Sequence, residues 1–254
     1  MIRTFVWWIL YVLSKMITHR PRMTVLLYHS ISNSSDFFAV SPDMFERQMQ
    51  YIAKYGAPVP LSRAFAHAQG DAVTRDSVAI TFDDGYKDFV TNALPILEKY
   101  NIPATVFLLS GMPSRADLGN DHSLLTTHDA KELRNPLVTI GSHGATHRKI
   151  TKLSDSDAEQ ELVGSRTDIE KMFGVLPTYF AYPKGSFNKV VAEHARETEY
   201  AGAVTVIERG VRAGDSLFML PRVQVDSRTT ETIFKAKLSK TADWYYQLWS
   251  LQGK

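Results

Sequence analysis

The sequence predicts an α/β fold, a mostly parallel sheet in a single domain. Three observations carry that expectation. Strand-like and helix-like patterns alternate along the chain, the order in which parallel strands are joined by crossover helices. The 254 residues are 44% hydrophobic, enough to bury one large core, and a barrel of roughly 250 residues needs no second domain. Two of the strand-like runs lead into acidic or imidazole side chains beside glycines, the place where α/β proteins build their sites.

The strand-like runs are 24–29, 78–83, 103–109, 137–141, 178–182, 201–206 and 218–225, and the helix-like runs are 43–54, 87–100, 128–134, 155–173, 187–197 and 229–240. Met23-Thr-Val-Leu-Leu-Tyr28 is apolar, and His29 ends it. Val78, Ala79, Ile80, Thr81 and Phe82 have strand character and deliver Asp83 and Asp84 to Gly85. Leu137-Val-Thr-Ile140 reads as a buried strand opening into Gly141-Ser-His-Gly-Ala-Thr-His147. The clearest helix has Ser154 as N-cap, acids at 155, 157 and 159 in its first turns, Gly174 at its end and Pro177 beyond. Its Leu162, Ile169, Met172 and Phe173 recur at helical spacing and are core residues. Segment 110–127, with Pro113, Gly119 and Asn120, shows no periodicity and reads as a lid or a surface excursion.

Side chains alternate along a strand, so Asp83 and Asp84 can serve one site only if the backbone turns there, which Gly85 permits. Two ionised neighbours repel each other unless a cation sits with them or one is protonated. Alone, the pair reads first as an ordinary solvated Asp-Asp-Gly turn, ahead of a metal site. His143 and His147 are spaced i, i+4 and share one face if their loop begins a helical turn, as in helix-borne zinc sites. Two histidines and one aspartate leave coordination positions open, which suits a catalytic metal better than a structural one.

These residues resemble the polysaccharide deacetylases related to chitooligosaccharide deacetylase. The resemblance rests on Thr81-Phe-Asp-Asp-Gly85, Ser142-His-Gly-Ala-Thr-His147 and Tyr179-Phe-Ala-Tyr-Pro-Lys-Gly185, in that order. Weaker likeness runs from Val25 to Arg222, and the motifs are most similar to the poly-N-acetylglucosamine deacetylase branch. The resemblance implies a distorted (β/α)7-type barrel that removes acetyl groups from acetamido sugars with one divalent metal, zinc first among the candidates. It makes Asp84, His143 and His147 the metal ligands and Asp83 the catalytic base. Such chemistry needs an activated water, charge for the oxyanion and a proton for the leaving amine.

The sequence departs from the family pattern twice. Ala181 stands where an arginine usually holds the base, and Lys184 where an aromatic residue is usual. Arg222, in Met219-Leu-Pro-Arg222, is the candidate to orient Asp83 instead, and the turn Tyr182-Pro183-Lys184 would face the substrate, with the Lys184 N–H as oxyanion donor. No late histidine follows in a Leu-x-His motif. His194 lies in an apparently helical segment and is not assigned to catalysis, so His29, emerging on the rim shared by Asp83 and His143, is the candidate general acid. A catalytically impaired glycan-binding protein is the alternative function, motivated by the absent histidine.

A net charge of +2 gives no reason to expect nucleic acid, and the absence of cysteine excludes disulfides and thiolate ligands. All four tryptophans lie near the ends, at 7, 8, 244 and 249. The apolar run from Phe5 to Leu13 is too short for a comfortable membrane span and lacks a cleavage motif. Residues 1–22 are therefore expected to form an amphipathic or membrane-associating segment ahead of a catalytic domain at 23–254. In one reading, Phe5, Trp8, Ile9, Val12 and Met16 enter a membrane interface, with Arg3, Lys15, Arg20 and Arg22 near anionic lipid. In the other, a terminal helix packs on the outside of the barrel, near Trp244-Tyr-Tyr246. The charge bias places the enzyme peripherally on the cytoplasmic face of the inner membrane, with the periplasm or cell envelope as the alternative. The substrate would be a polymer or a lipid-linked saccharide.

Overall fold

The computed structural model describes residues 7, 9, 12, 21–114, 123–239, 242 and 243. Its strands are β1 (Met23–Tyr28), β2 (Ser30–Ile31), β3 (Ala39–Val40), β4 (Ala57–Pro58), β5 (Ser77–Phe82), β6 (Ala104–Leu108), β7 (Val138–Ser142), β8 (Tyr179–Ala181), β9 (Gly202–Val204) and β10 (Val223–Gln224). The main sheet runs β10-β1-β5-β6-β7-β8-β9, with β4 also paired to β5. Every pairing in it is parallel. A single parallel bridge, Val204 to Leu220, ties β9 to the stretch leading into β10. The seven strands other than β4 thus curl into a distorted barrel, as predicted. The distortion lies where β8, β9 and β10 shrink to three, three and two residues.

Side-chain alternation explains why β1 and β5 are buried throughout. Leu26, Tyr28, Val78, Ile80 and Phe82 join the core under the helices, while Val25 and Ala79 join a second cluster with Phe107, Val204 and Leu220. The first face packs on α1 (Pro42–Tyr55), capped by Ser41, which accepts from the Met44 N–H. Register brings the strand ends level. Tyr28 pairs with Phe82 and Leu108 with Ser142, so His29, Asp83 and His143 all emerge just past the same rim.

The longest predicted helix forms over 155–173, but its middle, Gln160–Gly164, is a π-helical turn. The sequence reading missed β2, β3, β4 and a short helix, α2 (Ser62–Ala68), whose Phe65 stacks on Tyr179 at 4.6 Å. Within 110–127, residues 115–122 lie outside the described residues. The part that follows is tethered to the acidic turn, because the Leu125 N–H donates to the Gly85 carbonyl.

At the chain ends, Trp7 is 1% exposed and packs with Ile233, Ala236 and Ala242. That contact holds Trp7 itself against the protein. Ile9 and Val12, also helical, are exposed. Phe5, Trp8, Met16 and Trp244-Tyr-Tyr246 fall outside the described residues. One expectation is corrected, since Arg22 does not face lipid. Its guanidinium is buried, pairs with Asp243 and donates to the Lys237 carbonyl, so its charge is satisfied within the protein. No described helix is long and apolar enough to cross a membrane.

Candidate active site

Asp83 continues the inward-facing series Ala79, Thr81 of β5, and it meets Arg222, which continues the inward-facing Leu220. The guanidinium donates to both Asp83 oxygens at 2.6 and 2.7 Å, to Thr81 Oγ1 at 3.1 Å and to the Thr205 carbonyl at 2.9 Å. Burial alone would raise the Asp83 pKa. The Arg222 charge and hydrogen bonds outweigh it and hold the carboxyl well below the usual carboxylate range. Asp83 is therefore an anion at any physiological pH.

By alternation Asp84 should point the other way. It does not, because its own backbone is left-handed, with φ 69°, followed by Gly85 at φ 66°. The reversal begins one residue before the glycine. A non-glycine residue in that conformation is costly and persists only where its surroundings fix it. Burial, then repulsion by Asp83, pushes the Asp84 pKa up to about 7, while a hydrogen bond from Tyr86 pulls the other way.

His143 follows β7. Its Nδ1 lies 2.7 Å from the Ala181 carbonyl, which fixes Nδ1 as the protonated nitrogen and leaves the Nε2 lone pair toward the site. Burial pushes its pKa down to about 4, so the ring is neutral near pH 7. His147 reaches the same point differently from the expectation. Residues 143–147 form no helical turn, and the loop bends through Gly144 (φ 83°) and His147 itself (φ 60°). The i, i+4 spacing thus converges through two left-handed residues rather than through helical geometry.

Asp84, His143 and His147 place ligand atoms within 4.8 Å of one another. Asp84 Oδ1 lies 3.5 Å from His143 Nε2 and 3.3 Å from His147 Nε2. Atoms bound to one ion at about 2.1 Å are separated by roughly 3.0–3.4 Å, so the spacing fits a shared cation. Asp84 Oδ1 is also buried without a hydrogen-bond partner, the cost that a cation would remove. The three residues could hold a divalent metal.

The other predicted residues fall around this centre. His29 is half-buried, its Nδ1 has no hydrogen-bond partner and its ring packs on Phe38 at 4.6 Å. Burial, opposed by the Asp83 charge, lowers its pKa to about 4. Pro183 lies against the histidine loop, since a Cβ added to Gly144 would sit 3.4 Å from Pro183 Cγ. Lys184 takes φ 56° and is exposed. Tyr182 turns its ring into the core and donates from its hydroxyl to the Phe218 carbonyl at 3.0 Å. It can therefore position the turn but offers no side chain to a substrate. His194 lies on helix Lys189–Glu197, in a groove also lined by Arg166 and Glu197.

Sequence reasoning missed Glu161. Its carboxylate is fully buried and accepts from the Ala145 N–H at 2.6 Å, the Thr146 N–H at 3.0 Å and the Thr146 hydroxyl. It clamps the stretch between the two histidines. The π-helical turn carries it, and Ser165 four residues on bonds Ser142 at 2.8 Å. The signal was present in the sequence, because Glu161 and Ser165 interrupt the apolar stripe of Ala158, Leu162 and Ile169 with polar side chains.

Comparison with known proteins agrees with this fold. The Bacillus subtilis (strain 168) protein YxkH is 29% identical over 222 residues, covering 86% of this chain and 77% of that one. The poly-beta-1,6-N-acetyl-D-glucosamine N-deacetylase of Staphylococcus aureus (strain MSSA476) is 24% identical over 234 residues, covering 85% and 80%. Among solved structures, IcaB from Ammonifex degensii shares the fold with a TM-score of 0.75 at 23% identity, over 87% of this chain and 99% of that one. The sequence profile of polysaccharide deacetylases matches residues 70–203, more than half of the chain, and takes in Asp83, Asp84, both histidines and the Pro183 turn. This chain belongs to the polysaccharide deacetylase family.

Proposed function

We propose that the protein is a metal-dependent carbohydrate N-deacetylase that hydrolyses the acetamido group of a sugar within a glycan or lipid-linked saccharide and releases acetate. The observation that carries this reading is a buried carboxylate gripped by a buried arginine beside three converging ligand side chains. A protein that only bound glycan would have no use for that arrangement. The Staphylococcus aureus relative, named for deacetylation of poly-β-1,6-N-acetylglucosamine, points to the same substrate class.

Asp84, His143 and His147 would hold the cation. When bound, it would lower the pKa of a water and offset charge on the acetyl oxygen. We expect zinc first, given two imidazoles and a carboxylate, with other divalent transition metals as alternatives. Asp83 is ionised and so free to accept the proton of the attacking water. Arg222 holds both carboxylate oxygens and prevents the group from rotating. The Lys184 N–H would donate to the developing oxyanion. His29 would protonate the leaving nitrogen. Because it is neutral near pH 7, the proton it gives must arrive during the reaction, and the Asp83 charge favours that arrival.

The test is acetate release, matched by free amine, from oligomers of N-acetylglucosamine incubated with zinc-loaded protein. The reaction should stop on chelation and return with zinc. A protein that binds one ion per chain yet releases no acetate from any acetamido sugar would overturn the reading.

We also propose peripheral attachment to the cytoplasmic face of the inner membrane. Lys15 and Arg20 after the apolar run, against Arg3 before it, support that side. The exposed Ile9 and Val12 supply apolar surface. Digestion of the barrel by protease added outside spheroplasts would contradict this location.

A further inference from the structure

The loop between β2 and β3 leaves two adjacent aromatic rings uncovered, Phe37 at 37% and Phe38 at 39% exposure. They meet edge to face at 4.9 Å. Neither ring is loosely held. The Phe38 N–H donates to Asp36 Oδ1 at 2.7 Å, and the Asp36 N–H to Ser34 Oγ at 3.2 Å. The Ser227 N–H reaches the Phe37 carbonyl at 3.0 Å. The Arg228 guanidinium sits 4.3 Å from the Phe37 ring centre, a cation–π contact. The two rings make a small apolar surface on a pinned loop.

We infer that Phe37 and Phe38 form a shelf for the pyranose ring next to the reacting acetamido sugar, so that the enzyme reads at least two consecutive sugars. The inference rests on the deacetylase reading of the neighbouring site. Continuity supplies the occupant, because Phe38 packs directly on His29 and the shelf begins where the reacting group would lie. The surroundings favour a sugar over a lipid surface. Exposed Asn33, Ser34 and Ser35 can bond hydroxyls, and the Asp36 and Arg228 charges on either side of the rings leave no net attraction for anionic headgroups. A pyranose offers an apolar C–H face to an aromatic ring and a polar rim to those side chains.

The experiment compares zinc-loaded wild type with Phe37→Ala and Phe37→Trp on monomeric and tetrameric N-acetylglucosamine. Phe37 is chosen because it does not pack on His29 as Phe38 does. The preference for tetramer, taken as the ratio of kcat/KM values, should fall at least tenfold in Phe37→Ala, mostly through KM, and be largely restored in Phe37→Trp. An unchanged preference would overturn the inference. If wild type turns over neither substrate, the deacetylase reading fails by itself, and calorimetric titration with tetramer then decides. Binding that Phe37→Ala weakens tenfold keeps the shelf, and equal or absent binding rejects it. Loss of sedimentation with phosphatidylglycerol–phosphatidylethanolamine vesicles in Phe37→Ala, with tetramer preference intact, would assign the rings to lipid instead.

Discussion

Arg222 and Asp83, 139 residues apart in sequence, face each other inside the barrel with both oxygens of the carboxylate bonded to one guanidinium. The pair links two strand ends, with the guanidinium also bonded to Thr81 of the strand that carries Asp83. Breaking it should be costly twice over. Arg222→Ala leaves a buried carboxylate unpaired, a loss of about 3–5 kcal/mol. Arg222→Lys keeps the charge but not the fork, and should lower kcat/KM at least tenfold while the metal stays bound. Equal activity in the lysine variant would mean that Asp83 needs charge but not orientation.

The same pair fixes a pH dependence of stability. The folded Asp83 pKa lies below its unfolded value, so its stabilisation is complete above the ordinary carboxylate range and disappears as pH falls through the folded value. Acid titration followed by circular dichroism should show Arg222→Lys unfolding at higher pH than wild type. Coincident acid transitions would argue against the ion pair.

Metal uptake should also depend on pH, through Asp84. Its pKa of about 7 in the metal-free protein means that a proton must leave before the oxygen can bind a cation, whereas His143 stays neutral down to about 4. Zinc affinity should therefore be level above pH 7 and fall about tenfold per unit below it, steepening near pH 4. Asp84→Ala and His143→Ala should fold but retain no stoichiometric metal. Full occupancy in either variant would remove that residue from the ligand set.

Glu161→Gln keeps the shape of the side chain and removes the anion that gathers the Ala145 and Thr146 donors. Groups that position metal ligands typically contribute 10–100-fold to metal affinity, and a loss of that size is expected in a zinc-competition titration. Unaltered affinity would make Glu161 a support of the fold alone.

His29→Ala should reduce turnover by roughly 10²–10⁴, the scale of losing a general acid, with metal content intact. Near-normal turnover would place the acid elsewhere.

The sequence announced most of this architecture because the strands are short, apolar and separated by well-patterned helices. All seven predicted strand-like runs overlap a strand of the barrel, with ends one residue off in three of them. The two acids and two histidines were legible for the same reason, since each pair follows directly on a strand end. Backbone conformation was not legible. Asp and His tolerate positive φ better than most residues, but that preference does not single out Asp84 and His147 beside their glycine neighbours. The helical turn that would have brought the two histidines onto one face does not form there. Glu161 escaped notice because an i, i+4 register read as α-helix hides the π-helical turn that swings it to the loop. Arg22 was misassigned because it closes the basic series of Lys15 and Arg20 after the apolar run, and its partner, Asp243, lies 221 residues away.

In the proposed mechanism two neighbours divide the labour, with Asp84 as ligand and Asp83 as base. That division is tested most directly by measuring bound zinc and acetate release on the same preparation of Asp83→Asn. One ion per chain is expected, as in wild type, with turnover of an N-acetylglucosamine oligomer reduced at least a hundredfold. Retained turnover, or loss of the ion together with activity, would contradict that division.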